Sequence, residues 1–131
     1  MAMHERFEVT RGQWSLVGER AGRGPAMVFL HAGVADRRMW RAELAAFAPT
    51  HHALAYDGRG FGESRGAPEP FSHVDDLGAV LDAVGAREAV LVGCSHGGRV
   101  ALDFTLAHPD RVRGLVLVAP AVSGVAEPSP P

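Results

Sequence analysis

Residues 88–98 read Glu-Ala-Val-Leu-Val-Gly-Cys-Ser-His-Gly-Gly, an apolar run that passes directly into a glycine-rich turn. The run Glu88–Gly93 is typical of a buried strand, and Gly97–Ala107 has the pattern of a helix. The turn between them matches G-x-S-x-G, a motif that requires this strand–turn–helix setting. Such a corner strains the serine backbone and leaves no room for side chains two residues to either side. The pattern predicts that Ser95 is a nucleophile whose Oγ projects at the carboxyl edge of a sheet.

Strand and helix patterns alternate on both sides of this corner. Three further apolar runs have the length of buried strands: Ala26–His31, His51–Asp57 and Val112–Ala119. Helical spacing of apolar residues predicts one helix over Arg38–Ala48 and another between the N-cap Ser72 and Gly85. This alternation predicts an α/β fold with a mostly parallel sheet and helices on both faces.

The N-terminal segment has a different pattern. Phe7–Thr10 and Trp14–Glu19 flank Gly12, which favours an antiparallel hairpin ahead of the parallel strands. At the other end, residues 127–131 read Glu-Pro-Ser-Pro-Pro, a Pro-rich tail without residues that could pack. We therefore expect residues 1–126 to form the folded portion.

Three motifs in this order resemble the first half of the α/β-hydrolase fold family. They are Val28-Phe29-Leu30-His31-Ala32-Gly33, then Asp57-Gly58-Arg59-Gly60-Phe61-Gly62-Glu63-Ser64, and then the G-x-S-x-G turn at Ser95. The stretch Asp36-Arg37-Arg38-Met39-Trp40 is also similar to the corresponding segment of 3-oxoadipate enol-lactonases, which suggests lactone or ester substrates. Haloalkane dehalogenases and epoxide hydrolases of the family carry Asp at the nucleophile position, so Ser95 disfavours those activities.

The resemblance implies an oxyanion hole built from two backbone N–H groups. One belongs to His96, directly after the nucleophile. The other belongs to Gly33 in the loop after the strand Ala26–His31, with Val34 as the alternative because Ala32 departs from the usual His-Gly pattern. His31 is expected to brace this loop rather than to act as a base.

The resemblance also implies a catalytic acid and histidine after the nucleophile, in that order. The candidates in the sequence are Asp103, Asp110, Glu127, His96 and His108. His108 lies at the far end of the predicted helix, and the His96 side chain points away from Oγ on such a corner. We expect the lid, the last strands and the acid–histidine pair to be missing from residues 1–131, and the chain alone to be inactive.

Other motifs have simpler interpretations. Cys94, the single cysteine, is expected to be a buried small residue in a reducing compartment. The glycine-rich segment 58–62 follows a strand but lacks the helix that a dinucleotide site requires. His51 and His52 start a strand and have no second cluster with which to bind a metal. No cofactor or metal site is predicted.

The composition limits the partners. The net charge is −2, and the 13 basic residues are scattered along the chain, which argues against nucleic acid and anionic membranes. The sequence lacks a signal peptide pattern, so the expected location is the cytoplasm. We expect a small-molecule substrate, and self-association through the edge strand Val112–Ala119. An acyltransferase, a cofactor-free haloperoxidase or a non-catalytic scaffold protein would have the same pattern.

Overall fold

The computed structural model describes residues 4–124. The expected Pro-rich tail and the boundary at residue 126 lie outside this part of the chain. The strands are β1 (Glu5–Arg11), β2 (Trp14–Ala21), β3 (Ala26–Leu30), β4 (His52–Tyr56), β5 (Arg65–Gly66), β6 (Ala89–Cys94) and β7 (Val112–Val118). The helices are α1 (Arg41–Phe47), α2 (His73–Ala83) and α3 (His96–Ala107), with 3-10 turns at Arg37–Trp40 and Pro109–Arg111.

These strands form one seven-stranded sheet in the order β1-β2-β4-β3-β6-β7, with β5 paired to β2. The strands β4, β3, β6 and β7 run parallel to one another. β1 and β2 form an antiparallel hairpin. This hairpin joins the parallel strands through a second antiparallel pairing, between β2 and β4. The predicted parallel core and N-terminal hairpin are therefore confirmed.

Helices cover both faces of the sheet, as predicted. All five residues of β3 are buried, and alternate side chains point to opposite faces. Val28 and Leu30 pack in the cluster that α2 and α3 cover, whereas Met27 and Phe29 pack in the cluster that α1 covers. Two-sided burial explains why β3 has a continuous apolar sequence instead of an alternating one.

The ends of α2 follow the predicted signals. The Ser72 Oγ accepts the Asp75 N–H at 3.2 Å, which satisfies one of the unpaired donors in the first turn. Gly85, just beyond the helix, has a φ of +76°, a left-handed conformation that favours glycine. The helix therefore begins and ends where its sequence indicates, and its N-terminus lies at the carboxyl edge of the sheet.

The helix predicted over Arg38–Ala48 has a different start. The chain first makes a 3-10 turn at Arg37–Trp40, because the Asp36 side chain accepts the Arg38 N–H at 2.9 Å. The α-helical part is then limited to Arg41–Phe47. The helix predicted over Gly97–Ala107 begins one residue earlier, at His96.

A buried ion pair fixes the chain where it leaves β4. The Asp57 carboxylate is fully buried and pairs with the Arg37 guanidinium. It also accepts the N–H groups of Arg37 at 2.8 Å and Glu63 at 3.0 Å. Arg37 in turn contacts Glu19 at 3.2 Å and Glu63 at 2.6 Å. The segment 57–63 is therefore folded around a carboxylate of the protein itself.

A second buried arginine connects the same segment to α2. Arg59 binds the Asp76 carboxylate through Nε at 2.8 Å and through a second guanidinium nitrogen at 3.0 Å. Its guanidinium also lies 4.6 Å from the centre of the Phe71 ring. Both contacts hold the first turn of α2 over the end of β4.

The strand β7 is the last strand on its side of the sheet within residues 4–124. Val116 and Val118 on this strand are 49% and 48% exposed. Arg113 near its start pairs with Glu88 at 2.9 Å. From Gly114 to Val118 the strand is entirely apolar or glycine. In the same part of the chain, no helix has the length and apolar content needed to cross a bilayer.

Candidate active site

Ser95 lies at the corner between β6 and α3 with φ 53° and ψ −113°, a combination rare for any residue other than glycine. Its N–H donates to the Val118 carbonyl at 3.0 Å. Its own carbonyl accepts N–H groups from Arg99 at 3.1 Å and from Ala121 at 3.0 Å. The end of β7 and the following residues therefore hold the strained serine in place.

The glycines on either side of Ser95 are required by close approach of the backbone. A Cβ on Gly93 would collide with the backbone of Gly97, and a Cβ on Gly97 would collide with the Leu30 carbonyl. The predicted steric reason for the G-x-S-x-G pattern is thus visible at both positions. The tight packing places the first turn of α3 directly against the end of β3.

The loop after β3, residues 31–35, lies beside this corner and is called the β3 loop. The Ala35 N–H donates to the Ala32 carbonyl at 3.0 Å, which closes a β-turn. Within residues 4–124, the two N–H groups inside this turn, those of Gly33 and Val34, make no hydrogen bond. A Cβ on Gly33 would lie 3.4 Å from the His96 Cβ. The structure therefore brings Gly33, His96 and Ser95 together at one edge of the sheet.

His31 connects the β3 loop to the start of the segment after β4. Its Nε2 accepts the Gly58 N–H at 3.1 Å, and its Nδ1 lies 2.8 Å from the Ala32 carbonyl oxygen. An amide N–H can only donate, so Nε2 is unprotonated and Nδ1 carries the proton that it donates to Ala32. Both ring nitrogens are therefore used in the loop, as expected for a bracing residue.

His73, the first residue of α2, was not identified from the sequence. Its ring packs edge-on against the His96 ring with a centroid distance of 4.8 Å. The Phe61 ring lies 6.0 Å from the His96 ring. Together with His31 and Tyr56, these two histidines line a small cavity of about 20 Å³. The signal for His73 was available: the N-terminus of α2, like Ser95, belongs at the carboxyl edge of the sheet.

Burial dominates the electrostatics of this cluster. It lowers the pKa of His96, and the nearby His73, His31 and Arg99 lower it further. Burial also lowers the pKa of His73, where the opposing effect of Asp76 is smaller. Both imidazoles are therefore neutral at pH 7 and can accept or donate hydrogen bonds without carrying charge.

Within residues 4–124, neither His108 nor Asp103 makes a hydrogen bond with Ser95. His108 follows the last residue of α3 and lies 13 residues after Ser95, so the helix separates the two by about 20 Å. Asp103 accepts a hydrogen bond from the Ser123 hydroxyl at 2.6 Å. Cys94 is half-buried at the end of β6 and packs beside the cluster under α1.

The segment 58–62 is a turn, and the next helix begins only at His73. Its Gly62 has a φ of +52° and lies against the Asp57 carboxylate. Because an anionic side chain already occupies the inside of this turn, the arrangement does not suit a pyrophosphate. The interpretation as a structural turn agrees with the geometry.

The fold and the strained serine corner define a class of protein, and comparison with known families gives the same class. Residues 25–131 match the α/β hydrolase fold family, and the chain belongs to that family.

Known relatives are hydrolases. The chain is 39% identical over 101 residues to epoxide hydrolase 2 of Siraitia grosvenorii, which corresponds to 72% of this chain and 32% of that protein. It is 37% identical over 115 residues to the 2-hydroxymuconate semialdehyde hydrolase of Pseudomonas sp. strain CF600, which corresponds to 82% of this chain and 40% of that protein. The chain thus spans about a third to two-fifths of these relatives.

Solved structures resemble the whole described fold. One is Est816, described as an N-acyl homoserine lactone degrading enzyme, with a TM-score of 0.82 and 33% identity. The match covers 87% of this chain and 45% of Est816.

Proposed function

We propose that the protein is a serine hydrolase that acts on an ester, lactone or similar small carbonyl substrate through an acyl-enzyme at Ser95. The observation that carries this proposal is the juxtaposition of the strained Ser95 with Gly33 of the β3 loop and with His96. A nucleophile and two free or helix-terminal N–H groups at one sheet edge are two of the parts that acyl transfer requires, and a general base is the third.

In the proposed reaction, Ser95 Oγ attacks the substrate carbonyl carbon and its proton passes to a general base. The carbonyl oxygen gains negative charge and accepts hydrogen bonds from the N–H groups of Gly33 and His96. Val34 is the alternative to Gly33, since its N–H lies in the same turn. Removing one such donor typically costs about 2.7–4 kcal/mol of transition-state stabilisation. Collapse of the tetrahedral intermediate breaks the bond to the leaving oxygen, which takes the proton back from the base and becomes an alcohol. The base then takes a proton from water, which attacks the acyl-enzyme, and the proton returns to Ser95 Oγ as the acid is released.

We propose that the general base is not one of the residues that lie near Ser95 in the described part of the chain. His31 uses both ring nitrogens in the loop, and His108 is about 20 Å away along α3. Within residues 4–124, Ser95 Oγ makes no hydrogen bond with His73 or His96. The relatives are longer than this chain, which leaves room in such proteins for an acid and a histidine. Residues 1–131 alone are therefore expected to lack the general-base contribution, about 10²–10⁴ in rate.

The nature of the nucleophile supports carbonyl substrates over epoxides. A serine attacks a carbonyl group to give an acyl ester that water can hydrolyse. The similarity to Est816 supports a lactone or ester in particular. The net charge of −2 suits a small-molecule substrate better than nucleic acid or an anionic membrane, and we propose a cytoplasmic enzyme without a cofactor.

The test is covalent labelling of a form of the protein that extends beyond residue 131. A fluorophosphonate should add to the wild type and to the Ser123→Ala control, but not to Ser95→Ala, with the adduct located by peptide mass spectrometry. Labelling that survives Ser95→Ala would contradict the nucleophile assignment. A longer form that contains a downstream acid and histidine but takes no label would favour the non-catalytic scaffold.

A further inference from the structure

Met39 contacts the β3 loop through its sulfur atom. The Ala32 N–H donates to the Met39 Sδ at a nitrogen–sulfur distance of 3.4 Å. Met39 lies in the 3-10 turn Arg37–Trp40, which is fixed separately by its own backbone hydrogen bond to Asp36 at 3.1 Å. The side chain therefore reaches back from an anchored turn to the loop that precedes it.

This contact completes the hydrogen bonding of one residue in the loop. The Ala32 carbonyl accepts from Ala35 and from the His31 ring, and the Ala32 N–H donates to the Met39 sulfur. Ala32 is only 8% exposed, so water has little access to replace this acceptor. The Met39 sulfur thus fixes the orientation of the peptide group between His31 and Ala32. The next N–H along the chain is that of Gly33, the proposed oxyanion donor.

We propose that Met39 is a positioning residue for the β3 loop, and that oxidation of its thioether releases the loop. The side chain is 39% exposed, whereas Met27, the other methionine within residues 4–124, is 8% exposed in the core. Of these two methionines, Met39 is therefore the one that oxidants at the protein surface reach first.

The oxidation is a two-electron transfer of oxygen from a peroxide. A sulfur lone pair attacks one oxygen of hydrogen peroxide, an S–O bond forms and the O–O bond breaks. The departing hydroxide takes the proton of the transferred oxygen and leaves as water. The sulfur is oxidised and the peroxide is reduced. At a nitrogen–sulfur distance of 3.4 Å there is no space for an oxygen atom between the two, so the contact is lost or the loop moves.

The effect on the loop does not depend on the proposed function. Its catalytic consequence does, because only a loop that supplies an oxyanion donor would lower the rate of acylation when displaced. For this reason the experiment measures the loop itself, and its failure would leave the Ser95 assignment untouched.

The measurement is hydrogen–deuterium exchange at the Ala32 amide, read by fragmentation mass spectrometry on residues 1–131. Met39→Leu keeps the bulk of the side chain but removes the acceptor, so the Ala32 amide should exchange about fivefold faster or more. Met39→Gln carries an oxygen one bond beyond the position of Sδ, as the sulfoxide does, so its Ala32 amide should also exchange faster than in the wild type. Met27→Leu is the control and should leave the Ala32 rate unchanged.

Treatment with hydrogen peroxide is the second part of the experiment. After mild treatment, the wild type and Met27→Leu should show faster exchange at Ala32, whereas Met39→Gln should not respond. Met39→Leu with a wild-type exchange rate would overturn the proposal, as would an equal response to peroxide in Met39→Gln. If the side chain served packing alone, Met39→Leu would exchange at the wild-type rate, and only Met39→Gln would exchange faster.

Discussion

The ring of His73 packs edge-on against the ring of His96, with their centroids 4.8 Å apart. Burial lowers the pKa of each imidazole below 6.5, and each is lowered further by positive groups nearby. The unfolded chain therefore binds protons as the pH falls through about 6.5, whereas the folded chain resists them. The free energy of unfolding should be highest above this pH and decrease below it.

Urea titrations on both sides of pH 6.5 test this, with His73→Phe as the variant. Phenylalanine keeps an aromatic ring against His96 and removes the titrating group, so the loss of stability in acid should be smaller. His96→Phe should have the same effect, and the double variant should fall short of the sum because the two groups interact. A wild type whose stability is constant across this range would exclude the effect.

The contact between Gly97 and the Leu30 carbonyl predicts a large effect of one methyl group. Gly97→Ala should lower the free energy of unfolding by at least about 2 kcal/mol, because the new Cβ would clash with backbone atoms of β3 that cannot move without disturbing the sheet. Gly78→Ala in α2 is the matched control, since its Cβ would lie 3.7 Å from the nearest atom, on Phe104. That variant should be more stable than the wild type by about 0.5–1 kcal/mol. Equal stability of the two variants would be inconsistent with the described packing.

The fully buried Asp57 should matter far more than an exposed carboxylate in a similar ion pair. Asp57→Asn removes the fully buried carboxylate from the Arg37 guanidinium, which keeps its contacts with Glu19 and Glu63, and should cost about 3 kcal/mol. Glu88→Gln removes a partner of Arg113 at the surface and should cost less than about 1 kcal/mol. Thermal unfolding of both variants gives the comparison, and a small loss at Asp57 would show that the pair is not essential.

The exposed valines of β7 predict association of residues 1–131 in solution. Val116→Lys places a charge on this edge strand and should shift the sedimentation profile toward monomer. Val34→Lys is the control, because Val34 is fully exposed on the β3 loop, away from this edge. A wild-type chain that sediments as a monomer would remove the basis for this prediction.

The sequence predicted the sheet well because its central strands are buried on both faces and its helices carry local end signals. The β3 run and the Ser72 cap needed no long-range information. The two-residue strand β5 was missed because it is too short to produce a periodic pattern. Its pairing with β2 depends on where the intervening chain returns.

The polar parts of the site were harder to predict. The G-x-S-x-G motif identified Ser95 because its glycines reflect a local steric requirement. The His73 side chain contacts the site from a helix that is distant from Ser95 in sequence. The Met39 side chain contacts it from a turn that folds back on the preceding loop. A lone methionine has no spacing pattern, so the Met39 contact is visible only in the folded chain. The position of His73 at the start of α2 could have been inferred from the topology.

The hydrogen bond from the Ser95 N–H to the Val118 carbonyl has a consequence for the order of events during synthesis. The ribosome adds Ser95 well before the residues that hold its strained backbone, and Ala121 is the last of these contacts. We therefore expect the strained backbone of Ser95 to form late, after β7 has paired with β6 and Ala121 has left the exit tunnel.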